Sequence, residues 1–163
     1  MTPTFEVLTR EVPEQKVVSL LQRLHVTELP GFLEGADGEL RAHLRAAGLP
    51  VTGETFVVYH GDVNVVADGP VEVCVPFEGS LEPRGRVRVR LEPRHHEAYV
   101  RLASSEVVFP DVLAAYEAVR TWLGARGLAL TDSPREVYHR PLSEGEPTGC
   151  DVAWPYEPAR GAD

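Results

Sequence analysis

The sequence predicts an α+β fold: two β-α-β-β units in tandem, forming an antiparallel sheet with two helices on one side and a ligand cleft between the repeats. Three observations predict it. Short apolar runs with period-two alternation and two amphipathic helical stretches follow one another in the order strand, helix, strand, strand, twice over. The two halves match in a single register of 79 residues, in which Gly48, Leu49, Thr52, Val58, Tyr59, His60, Val73, Pro76 and Glu78 are identical to Gly127, Leu128, Thr131, Val137, Tyr138, His139, Val152, Pro155 and Glu157. These nine identities over twenty-one positions compare with about one or two from average residue usage. The 163 residues, 43% of them hydrophobic, suffice for one domain with a full core. It is expected over residues 1–157, with repeats at about 5–78 and 86–157 and a flexible polar tail at 158–163.

In chain order, Phe5 to Val12 reads as a strand stopped by Pro13, and Lys16 to Leu24 as a second strand with some helical character. Leu29-Pro30-Gly31 punctuates. Leu33, Leu40, Leu44 and Ala47 are at helical spacing within Phe32 to Ala47, and Gly48 is a natural stop. Thr55 to His60 is a strand, Gly61 to Pro70 a polar connection, and Val71 to Phe77 an alternating strand. After the loop Glu78 to Gly85, Arg86 to Leu91 alternates arginine with aliphatics, the period of a strand with one solvated face. His96 to Ala103 follows as another strand. Phe109-Pro110-Asp111 opens the second helix, whose apolar stripe is Val112, Ala115, Tyr116, Val119, Trp122 and Leu123, with Gly127 past its end. Tyr116 and Trp122 are assigned to the core. Arg135 to Arg140 is a strand, Ser143 to Gly149 a loop, and Cys150 to Tyr156 the last strand.

Composition narrows the function. A formal net charge of -9 and a pI near 5.1 disfavour a nucleic-acid footprint, which needs a clustered basic surface. No apolar run is long enough to span a membrane, and Met1 to Glu6 has no secretion-signal pattern, so a cytoplasmic protein is expected. Cys74 and Cys150 sit in strand-like runs and read as reduced core residues. No cofactor and no metal is expected. His60 and His139 are repeat mates, which indicates a shared packing role rather than ligation.

The residue that asks for an explanation is Glu136, in Arg135-Glu136-Val137-Tyr138-His139. Its repeat mate is Val57, so the scaffold does not need an acid there. A carboxylate among apolar and aromatic groups loses several kcal/mol of hydration unless it is paired. It lies on a solvated strand face, meets an arginine of a neighbouring strand, Arg88, Arg90 or Arg101, or faces a cleft whose ligand brings the positive charge. Trp154 and Tyr156 share a face of the last strand where the first copy has Val75 and Phe77, and Tyr99 lies on the face of Glu97 and Arg101. These aromatics are candidates for a cage around a cation. Tyr138 is placed to orient Glu136, although Tyr59 keeps the same place in the copy without an acid, which favours a structural role.

The ending of the chain resembles the GyrI-like small-molecule-binding domain, the effector-binding module of bacterial transcription activators. The residues concerned are Gly127-Leu128, Pro134-Arg135-Glu136-Val137-Tyr138, a loop with Pro147 and a final strand reaching Pro155, with Val7 to Pro13 at the start. The resemblance implies a duplicated, SHS2-like antiparallel fold with a cleft for amphipathic, cationic or planar compounds, in which the acid matching Glu136 faces the ligand. It implies aromatic residues around that acid, and the candidate ligand-binding residues are Glu136 with Tyr138, Trp154, Tyr156 and Tyr99 read from their strand faces. Some relatives hydrolyse strained cyclopropane-bearing cytotoxic compounds, which would make Glu136 the catalytic residue. Ala103-Ser104-Ser105-Glu106 departs from the family's usual turn before the second helix. Three functions follow as expectations: binding of a xenobiotic by a stand-alone module with no helix-turn-helix segment ahead of it, hydrolysis in the same cleft, or interaction with a protein partner such as DNA gyrase or a regulator. Oligomeric state is not read from the sequence.

Overall fold

The computed structural model describes residues 5–64 and 66–159. Its strands are β1 (Leu8–Val12), β2 (Gln15–Leu24), β3 (Phe56–Tyr59), β4 (Gly69–Pro76), β5 (Arg88–Glu92), β6 (His95–Leu102), β7 (Arg135–Tyr138) and β8 (Cys150–Tyr156); its helices are α1 (Leu29–Ala46) and α2 (Leu113–Ala125). All eight strands form one antiparallel sheet in the order β1-β6-β8-β7-β3-β4-β2-β5. The repeats are β2-α1-β3-β4 and β6-α2-β7-β8, as the register of 79 predicts.

The order of strands forces the sheet to curl. Only Pro13 and Glu14 separate β1 from β2, yet β1 is the first strand of the sheet and β2 the seventh. Only Pro93 and Arg94 separate β5, at the opposite edge, from β6. Such links reach about 11 Å at most, so the two ends of the sheet must approach one another, giving a half-barrel with the helices outside it. Beneath α1 and α2 lies the apolar core, including Leu20, Leu40, Val57, Val73, Val100, Leu123 and Val152.

The opposite, concave face is polar and buried. Arg90 donates to Glu72 at 2.8 Å and to Glu92 at 2.6 Å, Arg135 pairs with the other side of Glu92, and Arg10 joins Glu97 and Asp151, each at 2.8 Å. The repeat is visible here too: His60 pairs with Glu72 at 3.0 Å and its mate His139 with Asp151 at 2.8 Å, Glu72 and Asp151 being mates in the register of 79. The shared role of these histidines is a hydrogen bond to a buried carboxylate. Glu72 is shared between Arg90 and His60, and Asp151 among Arg10, Arg101 and His139, which compensates their lost hydration.

Several boundaries differ from the sequence reading. Helix α1 starts at Leu29, with Pro30 in its first turn, where the missing N–H costs no helical hydrogen bond. Helix α2 begins only at Leu113, after a turn that contains the cis Phe109–Pro110 bond. Strand β5 runs from Arg88 to Glu92, and its Arg90 turns into the concave network rather than to solvent. Cys74 and Cys150 are free and buried. Of the expected tail, residues 160–163 lie outside the described residues. No helix among the described residues is long and apolar enough to cross a membrane.

Candidate functional site

Strands β3 and β7, the central pair of the sheet, meet antiparallel with Val57 opposite Glu136. These two residues are also repeat mates, so the pseudo-two-fold axis of the duplication passes between them. A symmetric molecule would place two identical side chains face to face on the axis. Two acids there would repel; one acid against a valine gives a single carboxylate at the centre of the helix-side face.

Glu136 is 5% exposed. Its Oε1 accepts a hydrogen bond from the Tyr138 hydroxyl at 2.5 Å and from the Tyr59 hydroxyl at 3.1 Å, and its Oε2 accepts from the Tyr116 hydroxyl at 2.5 Å. The first two phenols are mates brought together by the axis, and the third reaches across from α2. Burial, reinforced by the Glu136 charge, pushes all three phenols well above the ordinary tyrosine value, so they remain protonated donors. No cationic side chain pairs with Glu136 among the described residues: Arg90 is bound to Glu72 and Glu92, and Arg101 to Asp151.

The carboxylate and its phenols lie at the floor of a cleft of about 850 Å³ between the first turns of α1 and α2, within the size range of sites for drug-sized ligands. Leu29, Leu33, Val112 and Leu113 supply apolar walls, and Trp154 closes one side. The Trp154 indole N–H donates to the Asp132 carbonyl at 3.0 Å, which fixes the ring. Glu34, Asp62, Glu117 and Glu146 also line the cleft, against Arg120, so its field is negative.

Of the residues singled out from the sequence, Glu136, Tyr138 and Trp154 come together here. Tyr99 does not reach the cleft: it points into the concave face, where the guanidinium of Arg10 stacks 3.9 Å from its ring centre and that of Arg101 lies at 5.7 Å. Alternation along β6 put it on the Glu97 face, and that face turned out to be the inside of the half-barrel. Tyr156 lies at the far end of β8, beyond the cleft, tilted against His96 with ring centres 6.1 Å apart. Two cleft residues escaped the sequence reading. Tyr116 sits on the inward stripe of α2 as expected, but its hydroxyl reaches Glu136. Its mate on α1 is Asp37, a polar residue on an otherwise apolar stripe, and that was the available signal. Tyr59 enters the sequence reading only as the mate whose presence beside no acid favours a structural role for Tyr138, yet the axis delivers it to the acid of the other copy, where both phenols donate to Glu136.

No protein-family model matches the chain, and no curated protein matches it in sequence. Solved structures do match. The C-terminal domain of EcmrR superimposes with a TM-score of 0.77 at 20% identity, covering 95% of this chain and 99% of that domain. In the EcmrR-DNA complex the same match covers 58% of the longer EcmrR chain, so this chain spans less than two thirds of it. A hydrolase from Listeria innocua matches with a TM-score of 0.64 at 10% identity, over 96% of this chain and 94% of that one. SAV2435, solved with tetraphenylphosphonium bound, matches with a TM-score of 0.56 at 10% identity, over 93% and 94%. The chain has the fold of these proteins. That shared fold agrees with the duplicated α+β arrangement that the resemblance implies.

Proposed function

We propose that this chain binds an amphipathic, cationic, ring-bearing small molecule in the cleft between its repeats and so senses or sequesters xenobiotic compounds. One observation carries the reading: a buried carboxylate stands on the floor of an apolar cleft, held by three phenols and, among the described residues, left without a cation. Phenols satisfy its lone pairs but bring no positive charge, so a ligand cation adds a Coulombic attraction that water in the cleft would otherwise only partly replace. Aromatic faces around it favour the same charge by roughly 0.5–2 kcal/mol each. The tetraphenylphosphonium bound to SAV2435, on the same fold, supports a ligand of this class.

Calorimetric titration with tetraphenylphosphonium and with neutral triphenylphosphine oxide tests the proposal. Saturable binding of the cation, clearly tighter than that of the neutral compound, is the expected outcome; absence of binding by either refutes it. A second reading rests on the fold shared with the Listeria innocua hydrolase. In it Glu136 would take a proton from a water held in the cleft as that water's oxygen bonds to one carbon of a cyclopropane, the strained ring C–C bond breaks with its electron pair on the other carbon, and that carbon takes up the proton, so that one water is added across the bond. Incubation with a cyclopropane-bearing electrophile, followed for a mass gain of one water, distinguishes turnover from capture.

A further inference from the structure

The duplication relates two regions beside the axis: one against α2 opens into the cleft, and among the described residues its counterpart against α1 is filled by the chain. In the open groove Tyr116, Glu117 and Arg120 of α2 face residues 60–64 across the cleft, with Pro134 and Trp154 beside them. The register of 79 maps these positions onto Asp37, Gly38 and Arg41 of α1, residues 139–143, Thr55 and Val75. In that second groove the space is filled by the chain itself. The 3₁₀ turn Leu142–Glu144 packs on α1 with Ser143 over Gly38, so close that a Cβ at Gly38 would lie 3.6 Å from that of Ser143.

Asp37 holds the turn in place. It is fully buried, its Oδ2 accepts the Ser143 backbone N–H at 2.8 Å, and its Oδ1 accepts the Thr55 hydroxyl at 2.6 Å and Arg41 Nε–H at 3.0 Å. Arg41 also donates to the Thr55 oxygen at 2.9 Å. The site is built and saturated: Asp37 has its cation in Arg41, whereas at the equivalent place on α2 Tyr116 serves Glu136 and Arg120 stays exposed at the cleft. Leu142, Gly145 and Glu146 of the latched segment form the cleft wall on the α1 side. Where that segment sits therefore decides how far the cleft extends past Glu136.

We infer that Asp37 is a specificity-determining positioning residue: by latching the segment 139–149 onto α1 it closes one of two pseudo-equivalent grooves and confines the ligand to the half between Glu136 and α2. This inference rests on the reading of the cleft as a ligand site. Cations that fit the open half bind; rod-shaped cations that need both halves are excluded until the latch is released.

The test uses the full chain and two probes, compact tetraphenylphosphonium and a rod-shaped bis-quinolinium dication with a long alkylene linker. Asp37→Ala should raise the affinity for the rod relative to the compact cation by about tenfold or more. Asp37→Asn, which keeps an acceptor for the Ser143 N–H, should hold the wild-type ratio to within about twofold. Ser143→Pro removes the latching N–H while leaving Asp37, Arg41 and Thr55 intact, and should move the ratio as Asp37→Ala does, so the question survives a failure of Asp37→Ala to fold. An unchanged ratio in the folded latch variants, or equal weakening of both probes, overturns the inference. If the wild type binds neither probe, the ligand reading fails instead, and amide hydrogen exchange decides the latch: exchange in residues 139–149 at least about tenfold faster in Asp37→Ala supports it, and unchanged protection overturns it.

Discussion

Replacing Glu136 by glutamine separates charge from shape at the centre of the cleft. Glutamine has the length of glutamate, and its carbonyl oxygen can still accept from Tyr59 and Tyr138, while the amide NH2 meets a Tyr116 hydroxyl that turns to accept. The apolar surroundings are untouched. A hydrogen-bonded or ion-paired contact to a charged group contributes about 1.5–3 kcal/mol, so a cationic ligand that meets the carboxylate should lose about 10- to 150-fold in affinity. The other acids of the cleft, Glu34, Asp62, Glu117 and Glu146, are exposed and screened by salt, and cannot replace it. Titration calorimetry at two ionic strengths, with tetraphenylphosphonium and triphenylphosphine oxide in wild type and Glu136→Gln, reads the effect. The cation should weaken by that factor and the neutral compound by no more than about twofold, and the cation preference of the wild type should largely survive added salt, because Glu136 is only 5% exposed. Equal weakening of both compounds would mean that Glu136 shapes the cleft without meeting a charge. Undiminished affinity for the cation would remove Glu136 from recognition altogether.

Three further outcomes follow from the same geometry. Tyr116→Phe leaves Glu136 Oε2 without its donor at 2.5 Å, and the unfolding free energy in urea should fall by about 1–3 kcal/mol. On the concave face, burial alone would raise the carboxyls of Glu72 and Asp151, but hydrogen bonds from Arg90 and His60 to Glu72, and from Arg101, Arg10 and His139 to Asp151, outweigh it and hold each at about 2. A carboxylate depressed in the folded state stabilises above its unfolded value, here 4.5 and 3.8, and loses that stabilisation as pH falls toward 2. Circular dichroism should therefore show stability falling from about pH 5 downward, and Arg90→Met should move the acid midpoint upward; a midpoint unmoved by Arg90→Met would contradict the assignment. Arg135→Met removes one of the two guanidiniums on buried Glu92, which keeps Arg90, and should cost about 1.5–3 kcal/mol by chemical denaturation.

The duplication, the order of elements and the oddity of Glu136, an acid where its repeat mate is Val57, were legible in the sequence. An internal register is a statement about residue identity, and period-two or helical spacing is a statement about which side of one element is apolar. Both are local. Alternation along β6 correctly put Tyr99 with Glu97 and Arg101, but it does not say whether that side is outside, inside or beneath a helix. The curl of the sheet decided this: it turned the charged sides of β1, β5, β6 and β8 inward on one another, which also drew Arg90 away from solvent.

The sequence by itself determined that one copy carries an acid where the other carries valine, and that the same scaffold is used twice. The tertiary structure alone decided that these two positions face each other on the pseudo-two-fold axis, that Tyr59 serves the acid of the opposite repeat, that Tyr116 arrives from α2, and that Asp37 closes the second groove. The reason is that a register of repeats fixes correspondence between residues and not proximity. Proximity arises when antiparallel pairing of β3 with β7 and the packing of two helices across one sheet bring together side chains that are far apart in the chain.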